Sequence, residues 1–167
     1  AWTEHALGAL IDRLSALPRS PLVVVTADHG ESLGEHGELT HGIFAYESTL
    51  RVPLLIAEIG GAMASSRTPP RGVVITAPVR HIDVLPTILE AAGAGADPKL
   101  PGTSLSPLIA TESGGDRPSY FEAMTANLAR GWAPLRGALV GTDKYIDVPI
   151  PELYALQSDP VEKQNLT

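Results

Sequence analysis

An α/β core carrying a small antiparallel α+β appendage is the class that these 167 residues predict, on three observations. An amphipathic helical stretch precedes apolar, β-branched runs of strand length. A second helical stretch follows those runs. Short candidate strands separated by turn residues then close the chain.

In chain order, Leu7, Leu10, Ile11, Leu14 and Leu17 recur at helical spacing up to Pro18, with Thr3 as the start cap. A helix opening almost at residue 1 carries the expectation that the domain continues upstream. Leu22–Thr26 is an unbroken apolar run between Pro21 and Asp28, the pattern of a strand covered on both faces in a parallel sheet. Residues 52–57 and 73–76 are read as two more strands. Ile82, Leu85, Ile88, Leu89 and Ala92 restore helical spacing, with Pro86 early and Gly93 as the stop. Residues 93–118, rich in Gly, Pro, Ser and Ala, read as a meandering surface connection. Strands are expected at Ser119–Ala123, 132–140 and 144–148, with a turn at Gly141-Thr142-Asp143. The expected division is residues 1–116 as part of a catalytic core and 117–167 as a small C-terminal subdomain.

Composition removes several function classes. Twelve basic against nineteen acidic residues give a net charge of −7 without a basic cluster, so no nucleic-acid partner is expected. No apolar run is long enough to span a bilayer, so no membrane segment is expected in this chain. The chain has no cysteine, which excludes disulfides, thiolate metal sites and a cysteine nucleophile within it.

The chemistry is concentrated in Thr26-Ala27-Asp28-His29-Gly30-Glu31-Ser32-Leu33-Gly34-Glu35-His36-Gly37-Glu38-Leu39-Thr40-His41-Gly42. This stretch holds three of the five histidines and four glutamates and aspartates beyond an apolar strand. Ligands of open α/β sheets bind beyond the carboxyl ends of strands, where Asp28-His29 falls. A carboxylate and an imidazole on adjacent residues can converge on one cation if the chain turns there, and Gly30 is expected to permit unusual backbone angles. Oxygen with nitrogen suits zinc or manganese, while calcium and magnesium prefer oxygen. Asp-His-Gly after a strand can also be a simple turn with Asp as a helix cap. The density of histidine and acid around it argues for a site.

This stretch, with Tyr46-Glu47-Ser48-Thr49-Leu50-Arg51-Val52-Pro53-Leu54-Leu55-Ile56, resembles the C-terminal metal motif of the sulfatase family in the alkaline-phosphatase superfamily. The resemblance continues in order through His81-Ile82-Asp83-Val84-Leu85-Pro86-Thr87-Ile88-Leu89, Gly102-Thr103-Ser104-Leu105, Gly131-Trp132, Leu135-Arg136 and Lys144-Tyr145-Ile146. It ends with Glu152-Leu153-Tyr154-Ala155-Leu156, Asp159-Pro160, Glu162 and Asn165-Leu166. The fold it implies is a partial alkaline-phosphatase-like sheet with flanking helices plus a small C-terminal antiparallel α+β subdomain.

Carried over residue by residue, the resemblance implies that Asp28 and His29 bind a divalent metal. Many arylsulfatases have Asn at the second position and calcium as the metal. His there is shared with phosphonate and phosphodiester hydrolases, so calcium is expected by family, with magnesium, manganese and zinc open. His41 falls where many sulfatases place a sulfate-contacting lysine, and an imidazole there would bond the ester or protonate the leaving alkoxide. His36 is expected to orient Asp28 or Glu31, and Glu31 and Glu35 to cap or solvate the loop. His81 sits where a helix N-cap would be.

The family's nucleophile is a formylglycine made from Cys or Ser in a Cys/Ser-x-Pro-x-Arg motif. Here Ser158-Asp159-Pro160 has Glu162 in place of the Arg. The nucleophile and the family's N-terminal pair of metal aspartates are therefore expected upstream, in a missing N-terminal half. The partner is expected to be a sulfate-ester or phosphate-ester substrate, hydrolysed by the parent enzyme and not by this chain alone. Two alternatives stay open. Phosphoethanolamine and phosphoglycerol transferases carry a similar Asp-His-Gly-Glu-Ser-Leu-Gly-Glu run, and the chain could be a degenerate non-catalytic module.

Overall fold

A computed structural model describes residues 2–59, 72–95, 97–112, 114 and 117–167. The chain divides into two compact units, Ala1–Thr26 with Leu54–Gly114, and Ala27–Pro53 with Gly115–Thr167. Helices and antiparallel sheets are mixed throughout.

In the first unit, helix α1 (Trp2–Ser15) ends before Pro18, and strand β1 (Leu22–Thr26) follows. Its partner is β2 (Leu54–Glu58), in register Val24↔Ile56. The pairing is antiparallel, which corrects the expectation of a parallel neighbour. An unbroken apolar run records how much of a strand is to be covered, but carries no information on the direction of its partner. Residues 73–76 form no strand. They are β-branched but too few to dictate pairing against the surrounding context.

The expected second helix forms in two pieces, a 3-10 turn at His81–Asp83 and helix α3 (Val84–Ala91) with Pro86 in its first turn. Asp83 is fully buried beneath this junction. Its carboxylate takes a forked pair from Arg80, Nη2 at 2.8 Å and Nε at 3.2 Å, and the Thr103 N–H at 2.9 Å. Thr87 Oγ1 donates to the Asp83 carbonyl and accepts the Leu105 N–H at 2.9 Å. That network fixes the connecting segment, which contains a helix that composition concealed. Helix α4 (Ser106–Thr111) has Pro107 near its start and buries Leu105 and Leu108.

In the second unit, a short helix α2 (Glu47–Leu50) lies in the segment leading to β2. Strands β3 (Ser119–Ala123), β4 (Leu135–Val140), β5 (Asp143–Asp147) and β6 (Glu152–Ala155) form an antiparallel sheet in chain order. Helix α5 (Thr125–Arg130) connects the first two strands. Val140↔Asp143 closes the expected turn at Gly141-Thr142. Phe121 lies across Gly137, where an added Cβ would fall 2.3 Å from the ring, so that strand position demands glycine. Ala45, Tyr46, Leu135, Ile146 and Tyr154 form the core.

A buried ion cluster ties the unit together. Lys144, without exposed surface, sets Nζ 2.7 Å from Glu162 and 3.1 Å from Glu47. Glu162 also accepts the Glu47 N–H at 2.6 Å. Glu152 accepts both tyrosine hydroxyls, Tyr46 at 2.9 Å and Tyr154 at 3.0 Å. Burial and this carboxylate push the Tyr154 hydroxyl up to about 12, so both phenols remain protonated donors at neutral pH.

Candidate active-site loop

The loop after β1 is held in shape by its own backbone and by two glutamates. The Gly30 N–H donates to Thr49 O at 2.8 Å, and an added Cβ at Gly30 would meet Ser48 O at 2.2 Å. Gly30 is not among the residues with positive φ. Close backbone approach, not an unusual dihedral, is what requires glycine there, which corrects the sequence expectation. Further along, the Ser32 N–H donates to Thr40 O at 2.8 Å and the Gly34 N–H to Glu38 O at 2.9 Å, folding the segment back on itself. Glu38 is buried and accepts the N–H groups of Ile43 at 2.8 Å and Phe44 at 3.3 Å. Glu35 caps the Leu33 N–H at 2.6 Å.

Asp28 is 88% exposed and sets Oδ2 3.6 Å from His29 Nε2. The His29 N–H on Oδ1, the residue's own N–H and the neighbouring imidazole hold the Asp28 carboxyl below the usual range. His29 Nδ1 stands 2.8 Å from Gly30 O. A carbonyl oxygen only accepts, so Nδ1 carries the proton and a neutral His29 presents the Nε2 lone pair towards Asp28. Metal-ligating histidines are commonly fixed through the other ring nitrogen in this way. Metal–ligand distances of roughly 2.0–2.6 Å allow two donors 3.6 Å apart to share one cation. The pair therefore fits a divalent metal. Among the described residues no group of three or more His, Asp or Glu converges into a fuller ligand set.

His41 joins this pair. Its ring stacks on His29 with centroids 3.9 Å apart and planes inclined by 29°. Its Nδ1 lies 3.2 Å from each oxygen of Glu31. Glu31, half exposed, thus pairs with His41 as well as facing solvent. Ten residues separate it from His41, and nothing in their spacing announces the pairing; the Ser32–Thr40 backbone rung creates it. His36 behaves differently from expectation. It adopts left-handed φ 53, stacks 3.6 Å from Tyr46, and sets Nε2 3.2 Å from Val161 O. It anchors the loop to the C-terminal segment and touches neither Asp28 nor Glu31, because its backbone turns the ring the other way. His81 opens its 3-10 turn after Arg80, the N-cap, and sets Nε2 3.1 Å from Thr26 Oγ1.

The family model for sulfatases matches residues 1–94. The chain belongs to the sulfatase family. Choline-sulfatase of Rhizobium meliloti (strain 1021) is 31% identical over 170 residues, covering 99% of this chain and 31% of the relative. Arylsulfatase K of Mus musculus is 30% identical over 183 residues, covering 99% and 31%. A protein solved in complex with its substrate D-glucosamine-2-N,6-O-disulfate superposes with a TM-score of 0.76 at 24% identity, over 97% of this chain and 33% of that one. That likeness shows a shared fold, the alkaline-phosphatase-like fold of sulfatases. This sulfatase chain spans about a third of the length of the relatives it matches.

Proposed function

We propose that this chain is the C-terminal part of a metal-dependent sulfatase that hydrolyses an organic sulfate ester. Family membership supports sulfate-ester hydrolysis. The arrangement of His29 supports the metal, because Nδ1–H on Gly30 O turns a lone pair towards the Asp28 carboxylate. Asp28 and His29 would hold the cation, with calcium favoured by family and magnesium, manganese or zinc compatible with the donors. When bound, the cation stabilises negative charge on the group being transferred. Calcium is a hard ion that favours oxygen, so the remaining ligands would be carboxylates from the upstream part, which also brings the formylglycine nucleophile.

The residues of this chain do the rest. Asp28 and His29 present their donors from a loop that Gly30, Glu35 and Glu38 hold in shape. His41 is the group that meets the substrate. As sulfur passes to the nucleophile supplied upstream and the ester S–O bond breaks with its electron pair going to the ester oxygen, a proton on Nε2 of a protonated His41 would move to that oxygen, leaving His41 neutral with Nδ1–H retained.

The test is metal content and affinity in the full-length protein. Asp28→Ala and His29→Ala should each weaken binding of a divalent cation at least tenfold and abolish turnover of an aryl sulfate, with circular dichroism unchanged. Full metal loading in both variants would overturn the assignment.

A further inference from the structure

We propose that Glu31 is a positioning residue, which fixes His41 as the Nδ1–H tautomer and holds its ring against His29. The inference rests on the reading of His41 as the substrate-facing group. A carboxylate can only accept, and both Glu31 oxygens lie 3.2 Å from His41 Nδ1. Nδ1 is therefore the ring nitrogen that keeps its hydrogen, and any proton exchanged with a substrate passes through Nε2.

Three features make this contact a built arrangement. The Ser32 N–H to Thr40 O rung, at 2.8 Å, sets the residues flanking it, Glu31 and His41, side by side. The His29 ring, 3.9 Å away, covers one face of the His41 imidazole and limits its rotation. Glu38, buried and bonded to the N–H groups of Ile43 and Phe44, fixes the backbone just beyond His41. With the backbone and one ring face fixed, the carboxylate decides the remaining freedom, which is the tautomer. Gln at position 31 can still offer a carbonyl oxygen to Nδ1–H, whereas Ala cannot.

Ring nitrogen NMR of the full-length protein, labelled with 15N at histidine only and freed of metal by chelation, reads the tautomer directly. His41→Ala assigns the signals. At a pH where the ring is neutral, His41 should appear as Nδ1–H in the wild type and in Glu31→Gln. In Glu31→Ala it should revert to the Nε2–H form that an unconstrained imidazole favours. The same Ala variant, reloaded with metal, should lose at least tenfold in kcat with KM little changed, more for alkyl than for aryl sulfates, and Gln should restore part of it. Nε2–H in the wild type, or a tautomer unmoved by Glu31→Ala, would overturn the proposal. Its failure is distinguishable from failure of the underlying reading. If His41→Ala left turnover intact, the substrate role of His41 would fall while the tautomer result still stood.

Discussion

Asp83 has no exposed surface, yet its carboxyl stays below the usual range. Burial alone pushes it up; the Arg80 guanidinium, the Thr103 N–H and the Arg80 N–H together outweigh that push. A depressed folded value means that the carboxylate contributes stability above the unfolded value of about 3.9. That contribution disappears as pH falls through the lower folded value. Urea unfolding between pH 2 and 7 should show stability rising with pH through this window. Asp83→Asn should flatten that rise and lower stability at pH 7. An unchanged slope would show that another carboxylate is responsible. At this scale, the grouping of Asp28, His29 and His41 was legible because all three stand on one short loop. The Glu31–His41 contact was not, since it depends on a backbone rung that brings two loop positions together.

The loop between β1 and β2 folds with the C-terminal sheet, through contacts far apart in sequence. Lys144 reaches Glu47 across 97 residues, Tyr46 reaches Glu152 across 106, and His36 reaches Val161 across 125. Lys144→Met would leave Glu162 and Glu47 as buried or half-buried carboxylates without their cation. Loss of one partner of a buried pair costs about 3–5 kcal/mol, so the urea midpoint of the variant should fall accordingly. A change below about 1 kcal/mol would place the cluster among the weak surface pairs. Helix spacing, hairpin turn and most strand positions were legible, because each follows from local period and turn chemistry. The direction of the β1–β2 pairing and the short helices α4 and α5 were not. Six-residue helices such as Ser106–Thr111 depend on burial of Leu105 and Leu108 more than on propensity.

For the molecule as a whole, the sulfatase reading distributes the reaction over more chain than these residues supply. Under the proposed function Asp28 and His29 would supply two donors, among the described residues no group of three or more His, Asp or Glu gathers, and the sequence holds no cysteine and no Ser-x-Pro-x-Arg. Purified by itself, the chain should turn over no aryl sulfate and bind divalent cations more weakly than the full-length protein. A stopped assay with excess calcium checks this, and sustained turnover would show that the reaction needs nothing outside these residues.

The long reach of the loop also has a timetable. Asp28 and His29 leave the ribosome well before Glu162, the residue that accepts the Glu47 N–H across 115 positions. At synthesis rates of about 5–20 residues per second, the interval is on the order of 10 s. During it the loop has no sheet to fold against. The bonds from Val161 and Glu162 that hold it form only after the last strand has been translated.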